Sequence, residues 1–236
     1  MTGFEFFNAS GNKIIGSDFA NLCFYGSGRV QCPAGGISIP MAPGGVINFY
    51  RSQYPLIEMG GRLYMASPGQ WNGDWWYGGG RIAGWIEYWS FGPSNVEGAN
   101  RGMEFLSPHR KVMFSTARPF LRVIGKVEVS TDSYQFAGDT RVYRPFSAAT
   151  GFDGNKAFAL GNARVYWTSA QLASGNSFFT DTTRHIRGMH LDARGNFYSS
   201  PIQTAQQRFG GRAGNFNYSP NGNVPMTMLV ADISGL

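Results

Sequence analysis

Two carboxylates stand among tryptophans, and that neighbourhood is where chemistry would first be sought. Asp74 lies in Trp71-Asn72-Gly73-Asp74-Trp75-Trp76-Tyr77, and Glu87 lies in Trp85-Ile86-Glu87-Tyr88-Trp89. Glycoside hydrolysis uses two acids flanking a sugar bond, one as proton donor and one as base or nucleophile. Indole and phenol rings also form the flat apolar platforms on which ligands stack. The competing reading makes Asp74 a turn residue and Glu87 a strand-edge residue. Between Trp71 and Phe91 the chain carries five of its six tryptophans. In an extended backbone Trp85, Glu87, Trp89 and Phe91 share one face, while Ile82, Ile86 and Tyr88 share the other. A strand that is bulky on both faces has to cover both. One side can fill a core, and the other needs a second sheet, a neighbouring subunit or a ligand. Trp71, Trp75, Trp76, Tyr77, Trp85 and Trp89 are therefore the candidate contact residues, for a carbohydrate or for a subunit boundary.

The two cysteines bracket Phe24-Tyr25-Gly26-Ser27-Gly28-Arg29-Val30-Gln31. A two-residue turn at Ser27-Gly28 would make a hairpin in which Cys23 faces Cys32 in a non-hydrogen-bonded pair, close enough for a cross-strand disulfide. The opening residues lack the apolar run of a secretory leader, and a reducing compartment keeps thiols, so two small buried apolar residues are the competing reading. Neither cysteine has a histidine nearby to complete a metal set. His185 and His190 are five residues apart, which places them on opposite faces of a straight strand. A shared metal would need a bulge at Gly188 or several subunits, and no metal site or cofactor is expected. The chain contains no nucleophile elbow, no zinc-protease motif, no phosphate-binding loop and no dinucleotide fingerprint, so no catalytic residue is assigned. Gly78-Gly79-Gly80 has neither a lysine nor a following helix with which to cradle a phosphate.

Charge points away from nucleic acid. The 20 basic and 14 acidic residues give a net +6, but the basic residues are scattered. Their densest cluster is His109-Arg110-Lys111, followed at wide spacing by Arg118 and Arg122. Sixteen of the 20 are arginine, the residue that stacks on rings and is enriched at protein interfaces. Charged residues reach only 14% in a chain of 236 with 33 glycines, 19 Phe, 11 Tyr and 6 Trp. Such a composition excludes a disordered chain, and glycine without a three-residue period excludes collagen.

The elements that must position these residues read as strands. Short apolar runs occur at Phe4 to Phe7, Ala20 to Tyr25, Val46 to Tyr50, Arg62 to Ala66, Arg81 to Phe91 and Val112 to Thr116. Others occur at 121 to 130, Ala163 to Thr168, Arg184 to Leu191 and Met226 to Ile233. In the run 121 to 130, Leu121, Val123, Gly125, Val127 and Val129 alternate with Arg122, Ile124, Lys126, Glu128 and Ser130. Gly-rich turn signals separate the runs, at Asp153-Gly154-Asn155 and Arg194-Gly195-Asn196 among others. One short helix is expected around Ser169 to Ala173. The pattern predicts an all-β, antiparallel sandwich or jelly-roll-like fold with very little helix. It forms one domain over 1–236, or two packed lobes dividing near 92–120. Polar Gly-rich loops at Pro40 to Gly45, Gly92 to Gly102 and Gly210 to Asn223 are the natural contact regions. No run is long and apolar enough for a membrane-spanning helix.

The two ends of the chain carry a family resemblance. Gly3-Phe4-Glu5-Phe6-Phe7-Asn8-Ala9-Ser10-Gly11-Asn12-Lys13-Ile14-Ile15-Gly16-Ser17-Asp18 resembles the opening of small tailed-bacteriophage tail proteins of the tail-fibre or tail-tip kind. Val224-Pro225-Met226-Thr227-Met228-Leu229-Val230-Ala231-Asp232-Ile233-Ser234-Gly235-Leu236 is similar to their last strand. The resemblance implies a structural subunit of the virion tail, made in the host cytoplasm and repeated around the tail axis as a cyclic homo-oligomer such as a trimer. The partners it implies are other tail proteins and copies of itself; a host surface glycan is the partner the Trp71 to Phe91 platform would add, and the scattered charge points to no specific nucleic acid. No catalytic residue is carried over.

Overall fold

The computed structural model describes residues 5–7, 13–16, 22–67, 70–71, 76–77, 80–93, 104–106, 112–115, 118–129, 146–148, 151–152, 154–161, 165–174, 177–191, 194–211, 217–218 and 226–236. Among them every regular element is a strand. In chain order these are β1 (Glu5–Phe7), β2 (Lys13–Gly16), β3 (Leu22–Cys32), β4 (Ile37–Ser38), β5 (Ile47–Ser52), β6 (Leu56–Met59) and β7 (Arg62–Ala66). Then come β8 (Gln70–Trp71), β9 (Trp76–Tyr77), β10 (Arg81–Ile82), β11 (Gly84–Pro93), β12 (Glu104–Leu106), β13 (Val112–Ser115) and β14 (Arg122–Val129). The remainder are β15 (Phe146–Ala148), β16 (Lys156–Leu160), β17 (Val165–Ser174), β18 (Ser177–Leu191), β19 (Phe197–Gly210), β20 (Asn217–Tyr218) and β21 (Met226–Asp232). The fold is all-β and antiparallel, as the alternating runs require.

One sheet has the order β14-β21-β16-β5-β11-β3. It takes strands from both sides of the 92–120 segment. Its two outer strands also meet, because the residues leading into β14 bond to the start of β3. Phe24 N–H donates to Pro119 O at 2.7 Å, Leu121 N–H donates to Leu22 O at 2.7 Å, and Cys23 bridges Phe120. The sheet therefore curls into a roll, and its inner face becomes a core. Phe24, Phe49 and Phe91 meet there edge to face, with centroids 5.7 and 5.8 Å apart. Trp89, Leu22, Ile47 and Leu121 surround them, and Ala157, Ala159 and Ala231 line the other wall. Large rings on one wall against alanines on the other are how a narrow roll fills without voids.

The outer face of the roll packs on a second sheet, which runs β10-β7-β6-β18-β17-β20, with β4 added on β7 and β19 and β15 added beyond β18. Tyr50, Ile86, Phe158, Met228 and Val230 from the roll meet Leu56, Leu63, Met65, Met189, Leu191 and Phe197 from the second sheet. Each such large apolar side chain contributes ~1.5–3 kcal/mol on burial, against about 0–1 kcal/mol for an exposed ion pair. The two dry layers, not charges, hold the fold. Gly188 lets β18 approach β6, since a Cβ there would stand 2.9 Å from Ile57 and 3.0 Å from the Leu56 carbonyl. A buried polar chain also pins the 39–46 loop to the roll. Asn48 Nδ2–H donates to Pro40 O, Ser90 Oγ–H donates to Asn48 Oδ1, and Ala42 N–H donates to Ser90 Oγ. Tyr50 packs beside this chain, and burial pushes its phenol up to about 12, so it stays neutral at ordinary pH.

Four sequence expectations need correction. Ser27-Gly28 makes no turn: β3 runs unbroken from Leu22 to Cys32 beside β11, and Gly28 pairs with Tyr88. Glycine is needed there because the Tyr88 ring lies across it, and a Cβ would stand 2.8 Å from the Tyr88 hydroxyl. Cys23 and Cys32 thus sit at opposite ends of one strand, opposite Gly92 and Gly84, as buried free thiols that cannot bridge. Burial raises both thiols above their ordinary range. Ser169 to Ala173 is no helix but the middle of β17, where ladder pairing with β18 overrides local preference. In β14 the strict alternation breaks, because Val123 pairs with Ala231 and Gly125 with Val230, leaving Ile124 as a bulge residue. Val123 therefore lies on the opposite face from Gly125 and Val127.

A clasp secures the C-terminal end of the roll. Asp232 Oδ1 accepts from Ser234 N–H at 3.0 Å, from Ser234 Oγ–H at 2.5 Å and from Lys156 Nζ at 3.3 Å, while Arg122 reaches Oδ2 at 3.4 Å. The Ser234 hydroxyl and amide, with Lys156, hold the carboxyl down at about 2. A depressed folded-state value stabilises above the unfolded value near 4 and is lost as pH falls through about 2. Asp232→Asn is expected to lower the urea midpoint at pH 7, to lower it much less at pH 2, where the folded carboxyl is about half protonated, and to leave it unchanged only below that. A loss as large at pH 2 as at pH 7 would contradict the clasp.

Candidate functional site

The Trp71 to Phe91 region is where sequence and structure both concentrate unusual side chains. β11 is paired along most of its length on both sides, with β3 and with β5. Glu87 stands directly between Arg29 on β3 and Arg51 on β5. Arg51 Nε–H donates to Glu87 Oε2 at 2.6 Å, and its Nη1 donates to the Gly154 carbonyl at 3.2 Å. The Arg51 guanidinium also lies 5.4 Å from the Trp89 ring centroid, and Arg29 lies 4.6 Å over Trp85. Trp85, Glu87 and Trp89 therefore share a face, as their spacing predicts. Along that face runs a stack in which each indole has an arginine over it and the carboxylate ties one arginine down. Arg51 uses both the face and the edge of its guanidinium, which lysine could not reproduce.

Exposure grades along this row. Trp89 is 7% exposed and belongs to the core of the roll, whereas Trp85 and Glu87 are half-buried and Arg29 is exposed. Trp89 therefore works as a core residue, and Arg29 covers one face of the Trp85 ring. Glu87 has its Oε2 committed to Arg51. Asp74, the second acid of the hydrolytic reading, and Trp75 lie outside the described residues. Trp71 pairs with Trp76, and Gln70 with Tyr77, in the short β8–β9 ladder, which places Trp71 and Trp76 opposite each other.

His185 and His190 both lie on β18, with regular pairing between them through Gly188, so the bulge that a shared metal required is not there. Among the described residues no group of three His, Cys, Asp or Glu side chains could hold a metal ion. His109, Arg110 and Lys111 lie outside the described residues. Arg118 stacks on Tyr25 at 4.9 Å and Arg81 on Tyr64 at 4.4 Å, so ring stacking recurs across the arginines of this chain.

Arg29 and Arg51 were not among the residues singled out from sequence. Nothing local marks them, because Arg51 and Glu87 are 36 positions apart and meet only through strand register. No protein-family model matches the chain, and no curated protein or solved structure matches it.

Arg51→Ala removes a charge-assisted hydrogen bond and the cover over Trp89, so a loss of about 1.5–3 kcal/mol in urea unfolding is expected. Arg29→Ala should cost only about 0.5–1 kcal/mol, because its stacking is exposed. The reverse ranking would contradict the stack as drawn.

Proposed function

We propose that this chain is a structural subunit of a tailed-phage tail, a tail-tip or tail-fibre-associated protein that acts in virion assembly and host attachment. The observation that carries the reading is the ribbon β17–β18–β19. β18 is fifteen residues long, about 50 Å at the usual rise, and pairs with β17 and β19 over most of that length. It meets β6 at Met189, towards its C-terminal end. A long ribbon based on a two-layer body is suited to bracing neighbouring subunits. Exposed apolar residues at Met41, Val46, Leu106 and Phe120 offer contact area on a body with few charges. The resemblance of the chain ends to tail proteins supports the same reading. Mass spectrometry of gradient-purified particles is expected to find the protein at stoichiometric level, and its absence from infectious particles would overturn the proposal.

A second reading, recognition of a host glycan, is favoured by the opposed Trp71 and Trp76 of the β8–β9 ladder. Glycan-array binding is expected to disappear in Trp71→Ala and Trp76→Ala while Arg29→Ala retains it. Binding that survives both tryptophan changes would remove this reading.

A further inference from the structure

β14 is the outermost strand of the six-stranded order and, among the described residues, pairs with β21 alone. Its lead-in, Pro119–Leu121, is taken up by β3. Beyond Leu121 its second edge has no strand partner among the described residues. An open edge presents a row of N–H and C=O groups to any extended chain that lies alongside. Val123 is 48% exposed and Ile124 37% exposed on this strand.

The charges on that edge select one partner. Lys126 Nζ lies 2.5 Å from Glu128 Oε2, with both side chains largely in solvent. Two residues apart, they project from one face. An antiparallel second copy of β14, related by a two-fold axis at Val127, places each Lys126 opposite the Glu128 of the other copy. A slip of two residues, the smallest that keeps each face in place, sets Lys126 against Lys126 or Glu128 against Glu128. Opposite charges directly across a ladder stabilise it and like charges destabilise it. A lone lysine on an edge strand ordinarily blocks pairing. Here Glu128 lifts that block for a copy of the same strand in a single register. The bulge at Ile124 bends the strand away, so the paired stretch is Gly125 to Val129.

We infer that β14 is a self-pairing edge, through which two copies of the chain join antiparallel and continue the six-stranded sheet across a two-fold axis. The pairing gives the proposed assembly subunit a surface for self-association and does not depend on that assembly being a phage tail. Sedimentation velocity of the full chain is expected to find a dimer that weakens as salt is raised. Lys126→Glu and Glu128→Lys should each weaken it by about tenfold or more, since both symmetric contacts turn repulsive. The double exchange should restore the dimer, and an equimolar mixture of the two single variants should form a heterodimer. Both side chains are on the surface, and circular dichroism checks that each variant folds. A monomeric or trimeric wild type, or single variants that dimerise as tightly as wild type, would overturn the inference. A chain that is monomeric yet still co-purifies with particles would remove this edge and leave the tail reading standing.

Discussion

The strand Gly84–Pro93 carries large side chains on both faces, and drying both of them is the constraint from which the rest of the architecture follows. A single packed sheet would bury Ile86 and Tyr88 and leave Trp89 and Phe91 in water. The second face is dried by curvature. β14 and β3 are brought together through Phe120 and Cys23, so the face carrying Trp89 and Phe91 turns inward. The face carrying Ile86 then points outward and is covered by Leu56, Met65 and Met189 of the other sheet. Alanines at 157, 159 and 231 are the counterpart of the rings they face, since larger residues on that wall would force the roll open.

Electrostatics plays a local part. With few charges in the chain, arginines are spent on rings, at Trp85, Trp89, Tyr64 and Tyr25. Glu87 and Asp232 each organise a small cluster of ion pairs and hydrogen bonds. Polar atoms inside, at Asn48 and Ser90, bond to the loop that crosses them. Such a body is stiff where its strands cross.

The strand runs and the two-faced character of 85 to 91 were legible because alternation is a local property of the backbone. The glycines of Gly26-Ser27-Gly28 were misleading for a physical reason. A glycine that turns the chain and a glycine that seats a ring look alike, and Tyr88, which decides between them, is 60 positions away. The stretch Ser169 to Ala173 carried no strong strand residue, and only its ladder with β18 makes it extended. The bulge at Ile124 adds one residue to one strand, which no count along that strand alone can reveal. In the candidate site, Trp85, Glu87 and Trp89 could be placed on one face from spacing. Arg29 and Arg51 could not, since register across three strands brings them there.

If both faces of β11 are covered by the chain itself, its amides sit between two paired neighbours beneath two dry layers and open only with global unfolding. Hydrogen exchange of the isolated protein tests this most directly. The amides of residues 86 to 91 are expected to be among the slowest in the molecule, with an opening free energy equal to that of denaturant unfolding. Rapid exchange there, while the amides of β18 remain protected, would contradict the account.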